Sequence, residues 1–245
     1  MNFETKALHA GQAIDQQTLS RAVPVYRTTG YMFKSTEHAA NLFALKELGN
    51  IYTRIGNPTQ DILEQRMAQL EGGAAALALS SGTSAIFYTI INICQQGDQV
   101  VSANNLYGGT FSQFTSILPQ FGIKIRMFDS SDPANFETAI NEKTRALYCE
   151  TLGNPSLNMT DLEGLAQIAQ KYNLPLIVDS TFTPPSILRP LEHGANIVIH
   201  SLTKWIGGHG TCIAGIAIDG GNFDWSDPKF TLYNEPDESY HGLRY

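Results

Sequence analysis

From residue 74 onward, apolar positions follow two alternating rhythms. Short unbroken apolar runs predict buried strands at 74–79, 99–103, 123–128, 146–149, 174–178, 197–200 and 213–218. Helical spacing fills the gaps and predicts helices over 84–93, 109–121, 133–140 and 160–172, the last opened by a capping box of Thr160 and Glu163. Strands alternating with helices at this spacing imply an α/β fold with a mostly parallel sheet sandwiched by helices.

The first part of the chain reads differently. Residues 1–35 carry little periodicity, with Pro24, Gly30 and several threonines, and predict an extended arm of the kind that often reaches a neighbouring subunit. A helix is expected over 36–48, with Ala39, Leu42, Phe43 and Leu45 making its apolar stripe and Gly49 and Asn50 closing it. A second begins near Asn57, which supplies an N-cap, with Pro58 at the first helical position and Gln60 as capping-box partner. Its apolar face is Ile62, Leu63, Met67 and Leu70. The chain thus divides into an arm and helix (1–60) and an α/β domain (61–245), with no internal repeat.

Composition narrows the function classes. With 245 residues, 42% hydrophobic and 16% charged, the chain can bury a sizeable core. A net charge of -7 and the lack of any basic run argue against a nucleic-acid or acidic-membrane partner. Cys94, Cys149 and Cys212 are scattered and form no CxxC pair, which suggests neither a disulfide framework nor a zinc site and reads as a reducing cytoplasm. The start, MNFETKALHAGQ, lacks a signal peptide's apolar core, and no run is long enough to span a membrane. His193, His200, His209 and His241 show no HExxH spacing, so no metal is predicted. GxSxG, GxGxxG and the P-loop pattern are all missing, which leaves hydrolase triads and nucleotide fingerprints without support.

Candidate chemistry gathers in IVIHSLTKWIGGHG, residues 197–210. Lys204 follows a buried strand and has Leu202, Trp205 and Ile206 around it, so partial desolvation would favour a neutral, nucleophilic amine of the kind a Schiff base needs. The same residues also fit a lysine that reaches solvent along its stem. Asp179 ends the run LPLIV, and ligands of open α/β sheets sit outside the carboxyl ends of strands, so the two residues would face one crevice. A lysine with an acid that keeps a pyridine nitrogen protonated is the signature pair of pyridoxal phosphate enzymes. Asp179 equally fits a simple strand-end cap. SSGT at 80–83, between a strand and a helix, suits an anion, because a glycine admits backbone amides and the helix terminus adds its dipole. Tyr52 and Arg54, in a loop, are spaced to address one phosphate, or are simply a half-buried tyrosine beside a surface arginine. Tyr107, past a strand end and followed by two glycines, fits a ring that stacks on a planar cofactor or a core tyrosine.

In this order, IYTRIGNPT, LALSSGTSA, NNLYGGTF, ETLGNPS, LPLIVDSTFTPP and IVIHSLTKWIGGHG resemble the motifs of the Cys/Met-metabolism family of pyridoxal phosphate enzymes, from about residue 7 to the end. HAGQ, NIYTRIGNPT and the late GNFDWSDPKFTLYNEPDESYHGLRY look like its O-acetylhomoserine sulfhydrylases more than its cystathionine synthases or lyases, and Gly109 agrees, since methionine γ-lyases tend to carry cysteine there.

The resemblance implies a fold type I, aminotransferase-like large domain and a pyridoxal 5'-phosphate cofactor bound covalently by Lys204. Asp179 would pair with the pyridine nitrogen and Tyr107 would stack on the ring. Gly82 and Thr83 amides with Ser201 and Thr203 hydroxyls would hold the phosphate, with Tyr52 and Arg54 reaching in from a neighbouring subunit. Asn154 would lie near the substrate carboxylate or the cofactor oxygen, and Thr181 would add a cofactor contact. The implied reaction is a γ-replacement, O-acetyl-L-homoserine plus sulfide or a thiol giving homocysteine or methionine plus acetate, in a homo-oligomer such as a tetramer with sites at a dimer interface. Cystathionine γ-synthase and methionine γ-lyase activities are the alternatives within the family. Relatives continue past a position like Tyr245 into a carboxyl-terminal domain that usually supplies an arginine for the substrate carboxylate. By the resemblance that small domain is expected to be absent from a chain ending at Tyr245, which also admits a non-catalytic α/β fragment.

Overall fold

The computed structural model describes residues 1–244. The order of elements is α1 (Phe3–His9), α2 (Thr36–Phe43), α3 (Pro58–Glu71), β1 (Ala75–Leu79), α4 (Gly82–Ile93), β2 (Gln99–Ala103) and α5 (Gly108–Ser112). There follow β3 (Lys124–Phe128), α6 (Ala134–Glu137), β4 (Thr144–Glu150), α7 (Leu162–Lys171), β5 (Leu176–Asp179), β6 (Ile197–Ser201), β7 (Gly215–Asp219) and α8 (Thr231–Asn234). Among the described residues, seven strands make one sheet in the order β1-β7-β6-β5-β4-β2-β3. The run β3-β2-β4-β5-β6 is parallel throughout, and only β7 runs antiparallel, between β6 and β1.

The strands form where the sequence is apolar on both faces, as helix-covered parallel sheets require. Val100, Val101, Ile177, Val178, Val198 and Ile199 are fully buried, each such burial contributing roughly 1.5–3 kcal/mol. Helices α3 and α4 pack on β1 and β7, α4 also on β6, and α7 on β4 and β5. The carboxyl ends of β4, β5 and β6 therefore open on one edge of the sheet, ending in Glu150, Asp179 and Ser201. Across that edge lies the start of α4.

Several local expectations are corrected. The predicted arm holds a helix, α1, because the Asn2 side chain accepts the Thr5 N–H as an N-cap and Ala10, just beyond it, is buried with its carbonyl accepting from Arg66 Nε. Helix α2 stops at Phe43 rather than Leu48, where Leu45 takes a positive φ. Asn57 caps α3 as expected, but Gln60 donates to Glu64 and makes no capping box. The predicted helix 109–121 is α-helical only to Ser112. A π-helical turn (Gln113–Ile117) and a 3-10 turn (Leu118–Phe121) complete it, because Pro119 has no N–H and crowds the preceding turn. Helix 133–140 shrinks to α6. Asp161, not Thr160, caps α7, since the Thr160 hydroxyl is spent on the Glu150 carbonyl. The last strand begins at Gly215 instead of Ile213, and α8 follows it unpredicted. No helix of the described residues is long and apolar enough to cross a membrane.

Candidate active site

A cavity of about 320 Å³ lies at the carboxyl ends of β4, β5 and β6. Its walls include Gly82, Thr83, Tyr107, Glu150, Asn154, Asp179, Thr181, Ser201, Thr203 and Lys204. Nine of the sequence-predicted residues meet there, and Glu150 joins them. Tyr52 and Arg54 do not: they stand together in the loop before α3, the guanidinium 5.4 Å from the Tyr52 ring centroid, and neither lines the cavity.

One end of the cavity is an amide cup. Ser81 caps α4 by accepting the Ser84 N–H at 3.0 Å, which leaves Gly82 and Thr83 N–H groups without intrahelical acceptors. A Cβ on Gly82 would fall 2.7 Å from Ser201 Cβ, so glycine alone lets the helix start sit against the end of β6. Gly215 serves the same approach, because its Cβ would lie 2.0 Å from the Ser81 carbonyl oxygen. The Thr203 hydroxyl donates to Ala214 O and accepts from Ala214 N–H, so it pins the start of β7 as well as facing the cup.

The floor is acidic. Asp179 is 9% exposed, and its Oδ1 accepts the Thr181 N–H at 2.9 Å. The Thr181 hydroxyl in turn accepts the Ser201 N–H at 2.8 Å, so Thr181 couples the acid to the cup. Burial pushes the Asp179 carboxyl above its ordinary range, opposed by Thr181 and by His200. Glu150 is 6% exposed, stands in register beside Asp179, and accepts the Tyr107 N–H at 2.7 Å. Burial first and then Asp179 push it up to about 8. The sequence reading does not single out Glu150, which closes β4 as Asp179 closes β5.

Lys204 lines the mouth. It is exposed, with Trp205 exposed beside it and only Leu202 buried, so the desolvation expected from its neighbours is not supplied by this chain. Tyr107 is 50% exposed over the cavity, and a Cβ on Gly109 would come within 2.5 Å of its ring. The second glycine thus sets where the ring lies. The histidines are engaged elsewhere: His200 with Glu71, His193 with Glu163, His209 with Gly207 O and His241 with Phe43 O.

These features fit pyridoxal phosphate part by part. A cup of N–H groups without intrahelical acceptors matches a phosphate, two neighbouring buried acids match a protonated ring nitrogen, an exposed tyrosine face matches a flat ring, and the lysine matches an aldehyde. An α/β sheet with this set at its strand ends defines a cofactor-binding enzyme domain of the pyridoxal phosphate class.

Residues 4–236 match the family described as Cys/Met metabolism PLP-dependent enzyme, and the chain belongs to that family. It is 54% identical over 242 residues to an O-acetyl-L-homoserine sulfhydrylase of Leptospira meyeri, covering 99% of this chain and 55% of that protein. It is 55% identical over 246 residues to O-acetyl-L-homoserine sulfhydrylase 1 of Thermus thermophilus, covering 100% and 58%. A Campylobacter jejuni protein described as an O-acetylhomoserine (thiol)-lyase, solved with N'-pyridoxyl-lysine-5'-monophosphate, superposes with a TM-score of 0.96 at 40% identity, covering 100% of this chain and 60% of that one. The chain therefore spans between 55% and 60% of the length of these relatives.

Proposed function

We propose that this chain is the cofactor-binding part of an enzyme that exchanges the acetyl ester of O-acetyl-L-homoserine for sulfide or a thiol, giving homocysteine or methionine and acetate. The observation that carries the reading is the meeting of Lys204, Asp179 and the Gly82–Thr83 amide cup at one cavity. The names of the relatives support the choice of substrate.

Pyridoxal phosphate, when bound, supplies the electron sink that makes the substrate Cα and Cβ protons acidic enough to remove. Asp179 would pair as a carboxylate with the protonated ring nitrogen, and Tyr107 would cover the ring. The phosphate would be held by Gly82 and Thr83 N–H groups and the Ser201 hydroxyl, and by Thr203 once its O–H turned from Ala214 O. Asn154 and Thr181 complete the contacts. Lys204 would bind the cofactor, give up that place to the substrate amine, and serve as the proton carrier. Holding one proton at a time, Lys204 would take the Cα proton and give it up within the site before taking one from Cβ; acetate would leave Cγ with the electron pair of its C–O bond, the sulfur anion would add to Cγ, and Lys204 would return protons to Cβ and Cα.

We infer further that the protein works as a homo-oligomer, in which Tyr52 and Arg54 of residues 1–60 serve a second copy's site. Tyr52 is 43% exposed, and Met32 at 96% and Leu48 at 93% leave an apolar face on the arm that the chain itself does not cover. Three free cysteines, one of them exposed, suit a reducing compartment such as the cytoplasm.

Full-length protein incubated with pyridoxal phosphate, O-acetylhomoserine and sulfide is expected to release homocysteine and acetate in equal amounts, read by mass spectrometry. Cystathionine formed only with cysteine, or 2-oxobutanoate formed from methionine, would replace the sulfhydrylase reading. No turnover of any of the three would leave a non-catalytic domain.

A further inference from the structure

Glu150 lines the cavity, and the reaction as derived gives it no part. Its placement is fixed from two sides. The carboxylate Oε1 accepts the Tyr107 N–H at 2.7 Å, tying the loop after β2 to the sheet across 43 residues. Its own carbonyl accepts the Thr160 hydroxyl at 2.7 Å, so the end of β4 cannot drift from the start of α7.

The groups facing it decide its charge. Asp179 stands beside it on β5, Tyr148 and Cys149 precede it on its own strand, and His200 lies beyond Asp179 on β6, bonded to Glu71. Among the described residues that line the cavity, Lys204 is the single cation, and it is exposed. Two buried carboxyls this close disfavour double ionisation, so one proton belongs to the pair. Burial raises both carboxyls, but at Asp179 it is opposed by hydrogen bonds from Thr181 and by His200, whereas Glu150 has the Tyr107 N–H alone. The proton therefore sits on Glu150, which agrees with its rise to about 8.

We propose, on the cofactor reading above, that Glu150 is a positioning residue: it clamps the backbone of Tyr107 and holds the acid pair's proton, so that Asp179 carries the charge facing the cofactor ring. A neutral Glu150 still accepts through one oxygen, so the clamp and the proton are compatible.

The test titrates pyridoxal phosphate into wild type, Glu150→Gln and Glu150→Ala at pH 7, following absorbance and visible circular dichroism of the bound cofactor, with no turnover involved. Glutamine copies the neutral acid and keeps the acceptor, so it is expected to match the wild-type dissociation constant within about twofold, with the same dichroism. Alanine leaves the Tyr107 N–H unpaired and is expected to bind at least about tenfold more weakly with a diminished dichroic band. A second arm melts the cofactor-free proteins across pH. A carboxyl held at about 8 when folded against 4.5 ordinarily stabilises the fold fully below pH 4.5 and loses that contribution as pH rises through 8. Wild type should show that decline and Glu150→Gln a shallower one. Glutamine binding as weakly as alanine, alanine binding as tightly as wild type, or identical pH profiles would overturn the assignment. A wild type that binds no cofactor would instead sink the cofactor reading, and the melting arm would still decide where the proton sits.

Discussion

Lys204→Ala is expected to abolish covalent capture of the cofactor. After borohydride reduction, intact-mass measurement should show one added pyridoxyl group on the wild type and none on the variant. Turnover should fall by about 10²–10⁴-fold from the loss of a positioned proton carrier alone. The fold should not follow it down. Lys204 N–H donates to Ser201 O at 3.2 Å and Lys204 O accepts the Gly208 N–H at 2.8 Å, both main-chain bonds that alanine keeps. With the side chain exposed, the stability change should stay within about 0.5 kcal/mol. A variant that still gains the pyridoxyl mass would place the reactive amine elsewhere.

The second large effect belongs to Asp179→Asn, which should move activity and stability in opposite directions. The amide keeps an acceptor for the Thr181 N–H but removes the charge proposed to face the ring, an expected loss of about 2–5 kcal/mol for a desolvated charge partner, or roughly 30- to several-thousand-fold in rate. For stability the sign runs the other way. Burial raises the Asp179 carboxyl in the folded chain, so the folded state binds more protons than the unfolded one and stability drops as pH rises through the folded value. A neutral amide removes that penalty. Cofactor-free Asp179→Asn is therefore expected to melt above wild type at pH 8, by thermal denaturation, while its kcat falls. A variant that is both less stable and fully active would make Asp179 a strand-end cap.

The same physics explains what was legible in the sequence. Strands β2, β5 and β6 stand out because residues such as Val101, Ile177 and Val198 are buried on both faces, and Asn57 with Pro58 announces α3 through local hydrogen bonding. Where tertiary contacts decide, the reading slips. Helix α1 is held by the Arg66 bond to Ala10, and Thr160 loses the cap of α7 to Asp161 because Glu150 takes its hydroxyl. Asp179, Gly82 and Lys204 were readable as strand-end and turn residues. Glu150 was not, since its meaning depends on an N–H 43 residues away and on a neighbour in the next strand. Tyr52 and Arg54 show the converse, as their spacing suits a phosphate while their loop stands off this chain's own cavity.

The most direct test of the central claim is the visible absorption spectrum of the protein loaded with pyridoxal phosphate, recorded before and after adding O-acetylhomoserine, with Lys204→Ala alongside. A yellow band that shifts with substrate in the wild type and differs in the variant is the result expected of a Lys204 that holds the cofactor and gives it up to the substrate amine. A protein that stays colourless with added cofactor would contradict the account.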